Sequence, residues 1–138
     1  MRVKDLMKKE VLTVHTDDAV EDLLDALVGK HIHGAPVVDD AGELVGVVSL
    51  LDVYFGTMTR LEDRAVGPHR ENGSALKVSD IMTSPAVSIG ERAKISDLCE
   101  MMHKLRLHRV PVVQKKKVIG MITSLDICAA VARGDDFD

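Results

Sequence analysis

Two aspartates stand at matched places in this sequence. Asp52 closes the run Gly46-Val47-Val48-Ser49-Leu50-Leu51-Asp52, and Asp126 closes Gly120-Met121-Ile122-Thr123-Ser124-Leu125-Asp126. In each, a hydroxyl (Ser49 or Thr123) lies three residues ahead of the carboxylate, where a β-rich run gives way to a helical one. A carboxylate at a helix start has two uses. It caps the helix, or it accepts hydrogen bonds from both hydroxyls of a cis-diol at once. About ten residues upstream stand His33-Gly34-Ala35-Pro36-Val37-Val38 and His108-Arg109-Val110-Pro111-Val112-Val113. Their histidines and Arg109 are suited to an anion, as are the free N–H groups at a helix N-terminus.

The matching extends along the chain. At an offset of 75, Val3, Asp5 and Met7 fall on Val78, Asp80 and Met82; Asp22 and Leu23 fall on Asp97 and Leu98. His33 meets His108, and Pro36 to Val38 meet Pro111 to Val113. One residue is then lost in a turn, and at an offset of 74 Gly46, Leu51 and Asp52 meet Gly120, Leu125 and Asp126. These 12 identities keep both order and spacing over about 50 positions, which marks two copies of one unit.

Each copy predicts the same elements. A short apolar run (Val11 to Val14; Ala86 to Ile89) reads as a strand. Val20, Leu23, Leu24, Leu27 and Val28 then recur at helical spacing, as do Ile95, Leu98, Cys99, Met102 and Leu105. Thr16 or Asp17 is expected to cap the first helix, and Cys99 to be buried on its stripe. Each proline is expected to open a short buried strand. A turn follows (Asp39 to Gly42; Gln114 to Lys117), then a second β run, Leu44 to Ser49 or Val118 to Thr123, and a helix from Leu50 or Ser124. The fold class is α/β: strand, helix, strand, strand, helix, twice. Boundaries fall at 1–55 and 78–133. Between them 56–77 reads as an exposed linker whose early part can extend the preceding helix through Met58, Leu61 and Arg64, with the turn pairs Gly67-Pro68 and Asn72-Gly73 after it, and 134–138 reads as a tail.

Composition removes several functions. The 138 residues are 46% hydrophobic with no run of the roughly 20 apolar residues a membrane helix needs. The first 20 residues lack the apolar stretch of a secretory leader. A net charge of −4 and only three aromatic residues argue against nucleic acid. Two cysteines make neither a disulfide framework nor a metal knuckle, so a reduced, cytoplasmic protein is expected. His31 and His33 lack the partners of a metal site. No Walker A, Gly-x-Gly-x-x-Gly, His-Glu-x-x-His or Cys-x-x-Cys pattern occurs, and nothing aligns a base with Ser49 beyond the chance grouping of His33 and Asp52. No catalysis is expected.

The duplicated Pro-Val-Val and Gly-x-x-Ser/Thr-x-x-Asp runs resemble the CBS domain, the repeat named after cystathionine beta-synthase. The resemblance covers nearly the whole chain and implies a stand-alone pair packed about a pseudo-twofold axis, called a Bateman module. It implies a non-catalytic regulatory role in which clefts between the repeats bind AMP, ADP, ATP or S-adenosylmethionine, with no cofactor. On that reading Asp126 and Asp52 hold the ribose diol, and Thr123 and Ser49 reach the phosphate. Arg109, His108 and His33 face the phosphates. The base lies among Leu12, Ile32 and Met121 in one cleft and Val87, Leu107 and Val47 in the other, with polar contacts from Lys8 and Thr83. Arg109 stands where the first copy has Gly34, so the Asp126 cleft is expected to be the stronger. The resemblance further implies a disc-like homodimer formed through helices and a separate, regulated partner protein. The alternative is an adaptor that keeps the fold, has lost the ligand and regulates a partner through dimerisation.

Overall fold

The computed structural model describes residues 1–64 and 76–137, and its chain divides into two units. The first unit joins Met1–Val11 to Val87–Asp138; the second is Leu12–Ala86. Each repeat's leading segment is therefore counted with the other repeat's sheet.

In the second unit β1 (Val14–His15) pairs parallel with β2 (Gly34–Val38), which pairs antiparallel with β3 (Leu44–Ser49). Helix α2 (Val20–Gly29) connects β1 to β2, and α3 (Leu50–Arg64) follows β3. Short α4 (Val78–Ile81) ends in a segment that bridges β3, Val47 to Thr83. The first unit repeats the plan. Short α1 (Val3–Leu6) is followed, after the other unit, by β4 (Ile89–Gly90), α5 (Ile95–Leu105), β5 (Arg109–Gln114), β6 (Lys117–Thr123) and α6 (Ser124–Arg133). Its sheet order is β4-β5-β6, and Lys8 bridges Met121 as Thr83 bridges Val47.

The element order and both final-helix starts agree with the sequence pattern, and several details differ. The leading strands reduce to Val14–His15 and Ile89–Gly90, beginning where the apolar runs end. The prolines sit inside their strands, not at the start. β1 meets β2 only from Val37 onward and β4 meets β5 only from Val112, so Pro36 and Pro111 precede the parallel ladder that would need their missing N–H. Helix α2 begins at Val20 with Ala19 in the cap position and no side-chain cap, so Thr16 and Asp17 lie three and two residues ahead of that position. The predicted Thr16 or Asp17 cap is absent.

The residue lost between copies is visible in the hairpins. Val38 pairs Leu44 across a turn that Asp39 organises, accepting the Ala41 and Glu43 N–H groups at 2.9 Å. In the other unit Val113 pairs Val118 across a tighter turn with Lys115 and Lys116 both at positive φ, 50° and 67°. Two left-handed residues in sequence are what a two-residue hairpin turn of type I′ requires.

Burial selects three of the five residues in each predicted stripe. Val20, Leu23 and Leu27 are buried with Val37, Val48 and Leu76 in one core; Ile95, Leu98 and Met102 are buried with Val3, Val112 and Ile122 in the other. Leu24, Val28 and Leu105 stay exposed, as does Cys99, which corrects the expectation of a buried thiol. The partial burial Cys99 retains still pushes its thiol pKa up. The span 56–77 holds the second half of α3 and, at its end, buried Leu76 and Lys77, which bridges Ala19. Its turn pairs Gly67-Pro68 and Asn72-Gly73 lie outside the described residues.

Candidate functional site

The strand-to-helix junctions are built by one device. At α6 the Thr123 N–H donates to Asp126 Oδ2 at 2.9 Å, and the Asp126 N–H donates back to Thr123 Oγ1 at 3.2 Å. At α3 the Ser49 N–H donates to Asp52 Oδ2 at 2.8 Å, and the Asp52 N–H to Ser49 Oγ at 3.2 Å. These are reciprocal capping boxes, which meet two backbone donors at each helix start. The same acceptance by a third-position aspartate recurs at the short helices, Arg2 N–H to Asp5 and Lys77 N–H to Asp80. Capping is thus the first job of these carboxylates. It occupies Oδ2 and fixes the side chain, leaving Oδ1 aimed elsewhere.

What lies opposite Oδ1 separates the two units. Lys8 Nζ is 3.9 Å from Asp126 Oδ1; the lysine side chain is 75% exposed and the aspartate 13%. The lysine is brought there by its backbone. Lys8 N–H donates to Met121 O and Met121 N–H to Lys8 O, both at 2.9 Å. That approach requires Gly120, where an added Cβ would lie 2.7 Å from Met7 Sδ and 2.9 Å from Lys8 O. Gly46 plays the same part beneath Thr83, where an added Cβ would lie 2.8 Å from the Thr83 carbonyl oxygen. Thr83 occupies the place of Lys8, so the second unit has a hydroxyl where the first has a cation.

Arg109 adds a second cation to the first unit. It faces Thr123 in the β5–β6 register, and burial lowers its guanidinium pKa from the usual value. Arginine stays charged nonetheless. Among the described residues no carboxylate lies within ion-pair distance of it. Its counterpart in β2 is Gly34, opposite Ser49. His108 and His33 contribute through the backbone: their carbonyls accept the first helical N–H, Ser124 and Leu50, each at 2.9 Å. Both side chains are exposed.

Within the first unit, then, Lys8, Met121, Thr123, Asp126 and Arg109 gather at one junction. Leu107 packs on the core of that unit, while Val87 is exposed. The second unit brings together Val47, Thr83, Ser49 and Asp52, with Leu12 and Ile32 packed on its core. The Lys8–Asp126 approach has one sequence signal, the glycine needed beneath it.

Among the described residues one His/Asp group has the spacing to chelate a cation: His15, Asp17 and Asp40. Its imidazole is already engaged on both sides. Nδ1 accepts the Asp17 N–H at 3.0 Å, which leaves Nε2 to donate to Asp40 at 2.6 Å.

The CBS domain family matches residues 3–55 and 78–133. A CBS domain-containing protein of Dictyostelium discoideum is 30% identical over 126 residues, spanning 91% of this chain and 87% of that one. Inosine-5'-monophosphate dehydrogenase of Methanocaldococcus jannaschii is 31% identical over 127 residues, 91% of this chain. The chain spans only 23% of that enzyme's length. Among solved structures, CBSX2 in complex with AMP is similar at a TM-score of 0.79 and 28% identity, with 96% of each chain covered. Two family matches over most of the length, on a fold of two like units, have one meaning: the chain belongs to the CBS domain family and carries two copies of that domain.

Proposed function

We propose that the chain is a non-catalytic regulatory module that binds an adenine nucleotide or adenosyl metabolite, with its principal site at the Asp126 junction. The observation that carries this reading is the division of labour on Asp126. Oδ2 is held by the helix cap, while Oδ1 lies 3.9 Å from Lys8 Nζ. A carboxylate fixed in this way accepts a ribose hydroxyl without losing rotamer freedom when the ligand arrives. Arg109 supplies a planar, always-charged fork for phosphate, and Thr123 a hydroxyl close by. AMP, ADP, ATP and S-adenosylmethionine share the ribose and differ beyond it, so the cation pair favours the phosphorylated ligands. The AMP complex of CBSX2 supports the choice of ligand class. In the second unit Val47, Thr83, Ser49 and Asp52 offer the diol acceptor without either cation, which suits a weaker site.

The module acts in the cytoplasm as a homodimer, reporting ligand occupancy to a partner protein. No helix among the described residues is long and apolar enough to cross a membrane. Thermal unfolding with each ligand in turn tests the reading. Binding to the folded state at 100 times Kd stabilises by about 2.7 kcal/mol, a shift of several degrees for a chain of this size. A shift with AMP or ATP and none with inorganic phosphate supports it. No shift with any of the four leaves the alternative, an adaptor without ligand.

A further inference from the structure

The helices that follow the two motifs differ on one face, and the difference is one of size. On α3 the stripe Leu51, Tyr54, Phe55 and Met58 is exposed at spacings of three and four residues, with Tyr54 and Phe55 edge to face at 5.3 Å. The aligned stripe on α6, 74 residues later, is Leu125, Cys128, Ala129 and Ala132, and it is exposed too. Three aligned positions, 54/128, 55/129 and 58/132, carry a bulky side chain in one unit and a small one in the other. The units also differ in charge. Residues 12–86 carry 13 Asp/Glu against 5 Lys/Arg, a net −8; residues 1–11 and 87–138 carry 13 Lys/Arg against 9 Asp/Glu, a net +4. Glu21, Asp22 and Asp25 on α2 are exposed members of the acidic set.

We propose that these stripes are a self-association surface on which α3 of one copy packs against α6 of a second copy, so that unlike units meet. The inference rests on the homodimer reading above and fixes its orientation. Pairing α3 with α3 would set Tyr54, Phe55 and Met58 against their own kind and bring two −8 units together. Pairing α6 with α6 would leave voids between alanines and bring two +4 units together. Crossed pairing seats the large side chains over the small ones and joins opposite charges. Both properties select the same arrangement, and they are independent of each other.

Sedimentation and thiol cross-linking test this in two steps. In a Cys99→Ser background the native Cys128 is the only thiol, and adding Tyr54→Cys places a second on the α3 stripe. A short bismaleimide should then give an intermolecular 54–128 peptide by mass spectrometry, while Cys99→Ser alone should not cross-link. Peptides joining 128 to 128 or 54 to 54 would overturn the crossed orientation while leaving the dimer intact. A wild-type chain that sediments as a monomer at tens of micromolar would overturn the homodimer reading itself. For the unmodified protein, the dimer Kd should rise roughly three- to tenfold between 50 and 500 mM salt as the attraction is screened. A Kd that falls over that range would mean that like units meet.

Discussion

Asp126 performs two jobs, and two substitutions separate them. Replacing it by alanine removes Oδ2 from the Thr123 N–H and Oδ1 from the ligand position together. Loss of the reciprocal cap should cost about 0.5–2 kcal/mol of stability. Loss of the charged acceptor should weaken AMP by about 1.5–3 kcal/mol, or roughly 10- to 150-fold. Asparagine keeps a carbonyl oxygen for the Thr123 N–H and gives up the charge. Asp126→Asn should therefore melt close to the wild type yet still lose most of the AMP affinity. Calorimetric titration with AMP and 2'-deoxy-AMP, beside urea unfolding of the same preparations, reads both effects. The deoxy ligand should bind the wild type more weakly than AMP does, and should lose little more in either variant. If Asp126→Asn binds AMP as the wild type does, the carboxylate is a cap and nothing more, and the ribose assignment falls.

Other substitutions test the surrounding construction. Arg109→Gln should cost more affinity for AMP than for adenosine, and added salt should narrow that gap; equal losses for both would make Arg109 a packing residue. Gly120→Ala drives a Cβ against the Lys8 carbonyl at 2.9 Å and should destabilise by about 1–3 kcal/mol in urea titrations. Leu98→Ala empties a fully buried position and should cost about 2–5 kcal/mol by the same measurement. Arg106 caps α5 in the left-handed region at φ 56°, so Arg106→Gly should raise stability by up to about 1 kcal/mol.

The parts of the fold that were legible in the sequence are those set by local pattern. Helical spacing located α2 and α5, and the duplicated Gly-x-x-Ser/Thr-x-x-Asp located the two junctions, because a capping box has a fixed three-residue geometry. Spacing could not say which residues of each stripe would be buried. Leu24 and Cys99 lie on the same helical face as Leu23 and Leu98, and only the sheet beneath decides how wide a face it covers. The leading segments were harder still. Lys8 and Met121 pair through two hydrogen bonds across more than a hundred residues of chain, and nothing in the sequence around Lys8 names that partner. Gly46 and Gly120 were visible as repeat markers. Their purpose, to admit the Thr83 and Lys8 backbones, became apparent only from the close approach itself. The same approach gives Asp126 in the first unit a lysine neighbour where the second unit has Thr83, an inequality that adds to the one between Arg109 and Gly34.

Calorimetric titration of the purified wild-type chain with AMP tests the central claim most directly. Saturable binding, with one dominant site per chain that Asp126→Asn weakens at least tenfold and Asp52→Asn changes much less, is the predicted result. Absence of saturable binding up to millimolar AMP, repeated with ATP and S-adenosylmethionine, would contradict it.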